Sequence, residues 1–213
     1  EISPFIKPCL PKTDARDGTL STRPLTEYGN ALRLFDTNGN RFKYVSDTKL
    51  WIVWRENAWH WDEGSEVRSM AAQLSSAIYK EGAANLGEAD HFGKWARKSQ
   101  DHRTISAAVS LLSDVGSTRI SLSQIDADHF TVGLNQARLV LDLRSGATRT
   151  AKPEDYVTKS LYAERVGDAS KATRWQEFLL QIFDDDQELI DWIQRFCGYA
   201  LTGSTQEQIF LFC

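Results

Sequence analysis

The sequence predicts an α+β fold, with small antiparallel or mixed sheet elements and packed helices, followed by a helical C-terminal part. Three observations carry this. The runs FKYVSD, KLWIVWRE and AWHWD are short, aromatic and β-branched, and turn formers separate them, which is a strand pattern. Between 65 and 82 apolar residues recur every three or four positions, the helical period. The strand pattern returns at HFTVGL and ARLVLDL, and helical spacing resumes from 171.

Each element has a local reason. Residues 1–25 hold four of the five prolines and no periodicity, so they read as a linker or arm whose apolar contacts are Phe5 and Ile6. Thr26 is placed to cap a short helix bearing Ala31, Leu32 and Phe35. Asp36–Asn40 is a turn, and the three aromatic runs then form a meander with turns at Ser46–Thr48 and Glu56–Asn57. Residues 65–82 form one amphipathic helix with Val67, Met70, Leu74 and Ile78 inward and Gly82 as its stop. Helices follow at 89–99, with Phe92, Trp95 and Ala96 on one face, and at 103–113, with Ile105, Val109 and Leu112 inward. After the second pair of strands, residues 148–161 are extended, with a turn at Pro153. Two last helices carry Trp175, Phe178 and Ile182, then Leu189, Ile193 and Phe196, and these six are expected to pack together. Asp184–Asp186 links and caps them, and Gly198 and Gly203 bracket the end. QIFLFC (208–213) is an apolar strand that leads nowhere, so Cys213 reads as a cut within a longer protein. No internal repeat is visible.

Composition narrows the function classes. The 213 residues are 41% hydrophobic and 25% charged, as in ordinary globular domains. No apolar run approaches the ~20 residues of a membrane helix, and no signal segment opens the chain. Cys9, Cys197 and Cys213 are odd in number and far apart, which excludes a disulfide framework or a zinc ribbon. The net charge of −4 hides a basic stretch at 91–174, with 13 bases and 9 acids, and an acidic one at 175–213, with 1 base and 7 acids. A nucleic-acid site therefore belongs to the middle.

Catalytic constellations are missing from the sequence. His60, His91, His102 and His129 make no metal-ligand spacing, and there is no nucleophile elbow and no GxxxxGK[ST] loop. Asp184–Asp186 reads as a helix cap rather than a metal cluster, and Asp126 and Asp128 as a turn. Trp51, Trp54, Trp59 and Trp61 suit either stacking on bases or sugars or the hydrophobic payload of a small sheet. KWARKSQDHR sets Lys94, Arg97, Lys98 and Arg103 around Trp95, and Arg144 follows in the strand region. These are candidate DNA contacts, against the alternative of a solvated helix face.

KWARKS (94–99), LDLRSG (141–146) and above all WQEFLLQIFDDDQELIDWIQRFCGYALTGSTQEQIFLF (175–212) resemble the phage and plasmid primase-helicase family, in the domain immediately N-terminal to the superfamily 3 helicase ATPase. GNALRLFDTNGNRFKYVSDTKLWIVWRENAWHWD (29–62) resembles the start of that domain. The resemblance implies a division into a linker (1–25), an α+β domain (26–165), a helical collar segment (166–204) and the first strand of a truncated ATPase (205–213). It implies a non-catalytic domain linking primase and ATP-dependent helicase modules in phage or mobile-element DNA replication, in the cytoplasm of a bacterial host. ATP and Mg would serve the parent protein and not this segment. The implied partners are single- or double-stranded DNA, the protein's own helicase ring and primase domain, and further copies in a homo-oligomer, with no membrane. Trp175, Phe178, Trp192, Arg195 and Tyr199 are the candidate oligomerisation contacts. The sequence departs from the family at Asn135-Gln136-Ala137, where an Asn-Gly turn is usual and supplies positive φ cheaply. The competing reading is an oligomerisation or protein-interaction module with no nucleic-acid contact. A carbohydrate-binding module built on the tryptophans is a distant third.

Overall fold

The computed structural model describes residues 23–134, 138–163, 167, 169–204 and 206–207. The expected arm contacts Phe5 and Ile6, the turn Asn135-Gln136-Ala137 and the strand 208–213 lie outside the described residues. Among the described residues there are seven α-helices and eight strands, an α+β arrangement.

The first half is a sheet with helices on one face. Helix α1 (Glu27–Asn38) opens as expected, with the Thr26 side chain accepting from the Gly29 N–H at 3.0 Å. Strands β1 (Phe42–Val45), β2 (Leu50–Arg55) and β3 (Ala58–Trp61) form the antiparallel meander, with Glu56 and Asn57 both at positive φ in its two-residue turn. Alternation along β1 and β2 turns Phe42, Trp51 and Val53 toward the helices. Val45, Ile52, Trp54 and Trp59 turn the other way.

The helix expected over 65–82 is two helices, α2 (Glu66–Ala72) and α3 (Leu74–Ala84). They meet at Gln73, whose N–H is shared between the Ser69 and Met70 carbonyls at 3.2 Å each, a tightened turn that interrupts the α ladder. Asp62 starts α2 in place of Ser65, accepting from the N–H groups of Glu66 and Val67. Gly82 is not a stop, since α3 runs two residues further. A side chain there would stand 2.6 Å from Phe92 Cβ, so the glycine lets α3 approach α4 (Ala89–Lys98) closely. Helix α5 (His102–Leu112) packs on α1, and β4 (Arg119–Ile120) then returns parallel to β1.

Polar groups clamp these helices from within. Arg33 is 3% exposed and makes four hydrogen bonds, two to Glu81 (2.8 and 2.7 Å) and one each to the carbonyls of Pro24 and Arg23. Asn30 accepts from the Trp95 indole at 3.0 Å and donates to Ser99 at 2.9 Å.

The second half repeats the topology of the first sheet. Strands β5 (Thr131–Leu134), β6 (Leu139–Asp142) and β7 (Thr148–Thr150) form another antiparallel meander, and β8 (Ser160–Leu161) returns parallel to β5. The sheet orders β3-β2-β1-β4 and β7-β6-β5-β8 correspond strand for strand. The flanking bonds correspond too. Trp54 N–H donates to Arg41 O as Leu143 N–H does to Phe130 O, and Tyr44 N–H donates to Thr118 O as Gly133 N–H does to Lys159 O. Lys49 and Arg138, each just before the second strand of its meander, take φ of 58° and 56°, so a left-handed residue closes both turns without glycine. In the first unit the crossover holds α2–α5; in the second it holds only the turn Pro153–Asp155.

The tryptophans join the two sheets. Trp59 is buried and donates its indole N–H to Pro153 O at 2.7 Å, and its ring stacks on Tyr156. Trp54 packs on Trp59 and against Val140, Ala151 and Val157. The cluster is packing surface, with no free face for a base or sugar at Trp59.

Truncating Glu81 to Ala strands a buried guanidinium and is expected to destabilise the protein by about 3–5 kcal/mol. Asp36→Ala, which removes the more exposed bidentate partner of Arg23, is expected to cost about 1 kcal/mol or less. Urea unfolding of the two variants checks the ranking.

Candidate functional site

Two regions compete as the functional surface, the C-terminal hairpin and the basic helix α4. The hairpin consists of α6 (Thr173–Ile182) and α7 (Gln187–Thr202). Asp184 and Asp185 take positive φ, and Asp186 accepts from the Leu189 N–H at 3.0 Å, so the three aspartates are turn and cap. Gly203 ends α7 in the left-handed region, while Gly198 lies inside the helix instead of bracketing it.

The expected packing of six apolar residues with one another is corrected here. Of the six, Trp175 (51%), Phe178, Ile182 and Leu189 are exposed and Ile193 and Phe196 half-buried; Trp192 (43%) and Leu201 are exposed too, whereas Leu179 and Ile190 are buried. The reason is geometric. Two helices facing each other can each hide one narrow stripe, and the Leu179 and Ile190 rows occupy that position beside a cavity of ≈ 310 Å³. The remaining aromatics pair along their own helices, Trp175 with Phe178 at 5.7 Å and Trp192 with Phe196 at 5.6 Å. Of the other candidate contacts, Arg195 is exposed, and Tyr199 is half-buried with its hydroxyl accepting from the Glu207 N–H.

On α4, Phe92, Trp95 and Ala96 face the core, so Lys94, Arg97 and Lys98 face outward by helical period. Lys94 pairs with Asp90 at 2.7 Å, Arg97 Nε lies 3.5 Å from Gly93 O, and Lys98 sits 5.0 Å over the Trp95 ring. Trp95 is 8% exposed and its indole N–H is spent on Asn30, so it is a core residue and not a stacking platform. Arg103 is exposed at the start of α5.

Arg144 does not join that group. It lies just after β6, its guanidinium 3.8 Å from the Phe130 ring centre, with two nitrogens on Asp128 at 3.3 and 3.1 Å. Arg144, the Thr131 hydroxyl and the Phe130 N–H hold the Asp128 carboxyl down to about 2. Asp126 is equally occupied, accepting from the Thr158 N–H and hydroxyl.

Sequence reasoning missed a cleft of ≈ 760 Å³ between the end of α1, strands β1 and β4, and residues 153–156. Lys43 lines it and donates to Ser117 O at 2.7 Å, and burial pushes its ammonium below the ordinary lysine range. No sequence signal marks Lys43, because the cleft forms only where residues 153–156 fold back against α1, β1 and β4.

Among known proteins, residues 31–184 match the family described as D5 N terminal like. No curated protein matches the sequence. Among the described residues no helix is long and apolar enough to cross a membrane.

The Asp128 carboxyl has a depressed folded-state pKa, so its stabilising contribution is complete above the unfolded carboxylate range and is lost as pH falls toward 2. In Arg144→Ala the Asp128 titration, followed by carboxyl-carbon NMR, is expected to move up toward the ordinary aspartate range. An unmoved titration would show that Arg144 is not the group holding it.

Proposed function

From the premise that this chain belongs to the D5 N terminal like family, the N-terminal region of phage primase-helicases, we propose that it is a non-catalytic assembly domain. It links a primase module to an ATP-dependent helicase module during DNA replication, and α6–α7 is its contact with the rest of the machine. One observation carries this: six large apolar side chains of the hairpin stand in solvent while the α+β body has a closed core. Exposed apolar clusters of this kind mark interaction surfaces, and tryptophans at their centre are the residues that carry binding energy. ATP and Mg belong to the helicase module that this domain serves.

A second reading, direct DNA contact, is favoured by the outward row Lys94, Arg97 and Lys98, with Arg103 beyond it. With Trp95 in the core, that row offers phosphate neutralisation and no base stacking, so binding would be independent of sequence and steeply salt-dependent.

Sedimentation equilibrium is expected to show concentration-dependent association of the chain. The pair Trp175→Ala and Trp192→Ala should weaken it at least tenfold while leaving the melting temperature close to wild type, since both rings are exposed. A wild type that stays monomeric overturns self-assembly. For the DNA reading, charge reversal at Arg97 and Lys98 should lower single-strand affinity at low salt, and a folded chain with no low-salt binding removes that reading.

A further inference from the structure

We propose that the α6–α7 hairpin of one copy docks on the α3–α4 face of a second copy, in a head-to-tail contact. This rests on the hairpin being an assembly surface and specifies what it meets.

The charge of the hairpin selects its partner. Residues 173–202 hold six acids (Glu177, Asp184, Asp185, Asp186, Glu188 and Asp191) and two bases, Arg174 and Arg195. All six acids are exposed. Two such hairpins packed face to face would bring like charges together, which disfavours a two-fold, self-complementary contact. The surface that receives the hairpin must be apolar at its centre and basic at its rim.

The α3–α4 face is net basic: Lys80, Lys94, Arg97 and Lys98 are exposed on it against the two exposed acids Glu88 and Asp90. Leu86 is 85% exposed in the 3₁₀ turn Leu86–Glu88 between the two helices. Tyr79 is exposed on α3 and lies beside Gly93 of α4, whose missing side chain would stand 3.9 Å from the Tyr79 ring. Gly93 therefore leaves a shallow apolar step. Arg97 Nε is 3.5 Å from the Gly93 carbonyl, so this cation borders the step, and exposed Lys94 lies one turn before it on α4. Among the described residues no acid lies within 4 Å of the Arg97 guanidinium, and the Lys94–Asp90 pair is solvent-exposed and cheap to exchange. A Trp175 or Trp192 side chain seated against Tyr79 would set the hairpin acids beside Lys94 and Arg97. The donor and acceptor surfaces are different parts of one chain, so the contact propagates from copy to copy and closes into a ring when the rotation allows.

Two variants of the 213-residue chain test this in sedimentation velocity. One has its acceptor face disabled by Leu86→Asp and Arg97→Glu; the other has its hairpin disabled by Trp175→Ala and Trp192→Ala. All four positions are exposed, and circular dichroism checks that both variants fold. Each alone is expected to be at least tenfold weaker in self-association than wild type. Mixed, they are expected to form a one-to-one complex that grows no further, because one intact hairpin meets one intact acceptor. If the acceptor variant alone assembles like wild type, the proposal is overturned while the hairpin reading survives. The same holds if the acceptor variant loses single-strand DNA affinity instead of assembly. Two variants that stay apart when mixed also overturn it, and a monomeric wild type overturns both readings together.

Discussion

The buried pair of Arg33 and Glu81 is the interaction on which the arrangement of the first half depends. One guanidinium ties three segments together: its own helix α1, α3 through the Glu81 carboxylate, and the entering chain through the Arg23 and Pro24 carbonyls. A cation this deep is tolerated only because every one of these bonds is made. The clamp also closes a circuit. Helix α3 is held against α4 by the close approach at Gly82 and Phe92, and α4 is held against α1 by the bond from Trp95 to Asn30. Once Trp95 faces inward, helical geometry commits Lys94, Arg97 and Lys98 to the outer surface. The buried ion pair therefore positions the exposed basic row, although it touches none of those residues.

The hairpin follows the opposite logic. Its second helix is capped at the junction by Asp186, yet the two helices bury little of their own apolar surface. The hydrophobic effect leaves such a surface with an outstanding gain in free energy, realised only when another surface covers it. Its acids decide which surfaces qualify. In the proposed contact the basic middle of one copy meets the acidic end of the next.

Much of the fold was legible in the sequence, for reasons that are local. The β1–β3 meander follows from alternation and turn residues, and α4, α5, α6 and α7 follow from apolar spacing. What was hidden depends on distant partners. β4 and β8 are two residues long and exist only through parallel pairing with β1 and β5. The correspondence between the sheets is carried by backbone bonds and by left-handed Lys49 and Arg138, while the side chains differ: Trp51 and Ile52 in one unit, Val140 and Leu141 in the other. At the candidate sites, the sequence pattern placed Lys94, Arg97 and Lys98 on one helix correctly. It could not show that Trp95 points inward to Asn30, or that Arg144 is engaged by Asp128, since both depend on chain segments brought together by folding. The burial expected for Trp175 and Phe178 failed because an amphipathic pattern states that a face wants covering and not that the same chain covers it.

Hydrogen–deuterium exchange on the wild-type chain as a function of concentration reads the hairpin and the α3–α4 face in one experiment. Under head-to-tail assembly, amides in 173–202 and in 79–98 gain protection together as concentration rises, while the sheets of the two units remain unchanged. Protection that rises in the hairpin alone, or in neither segment, would contradict it.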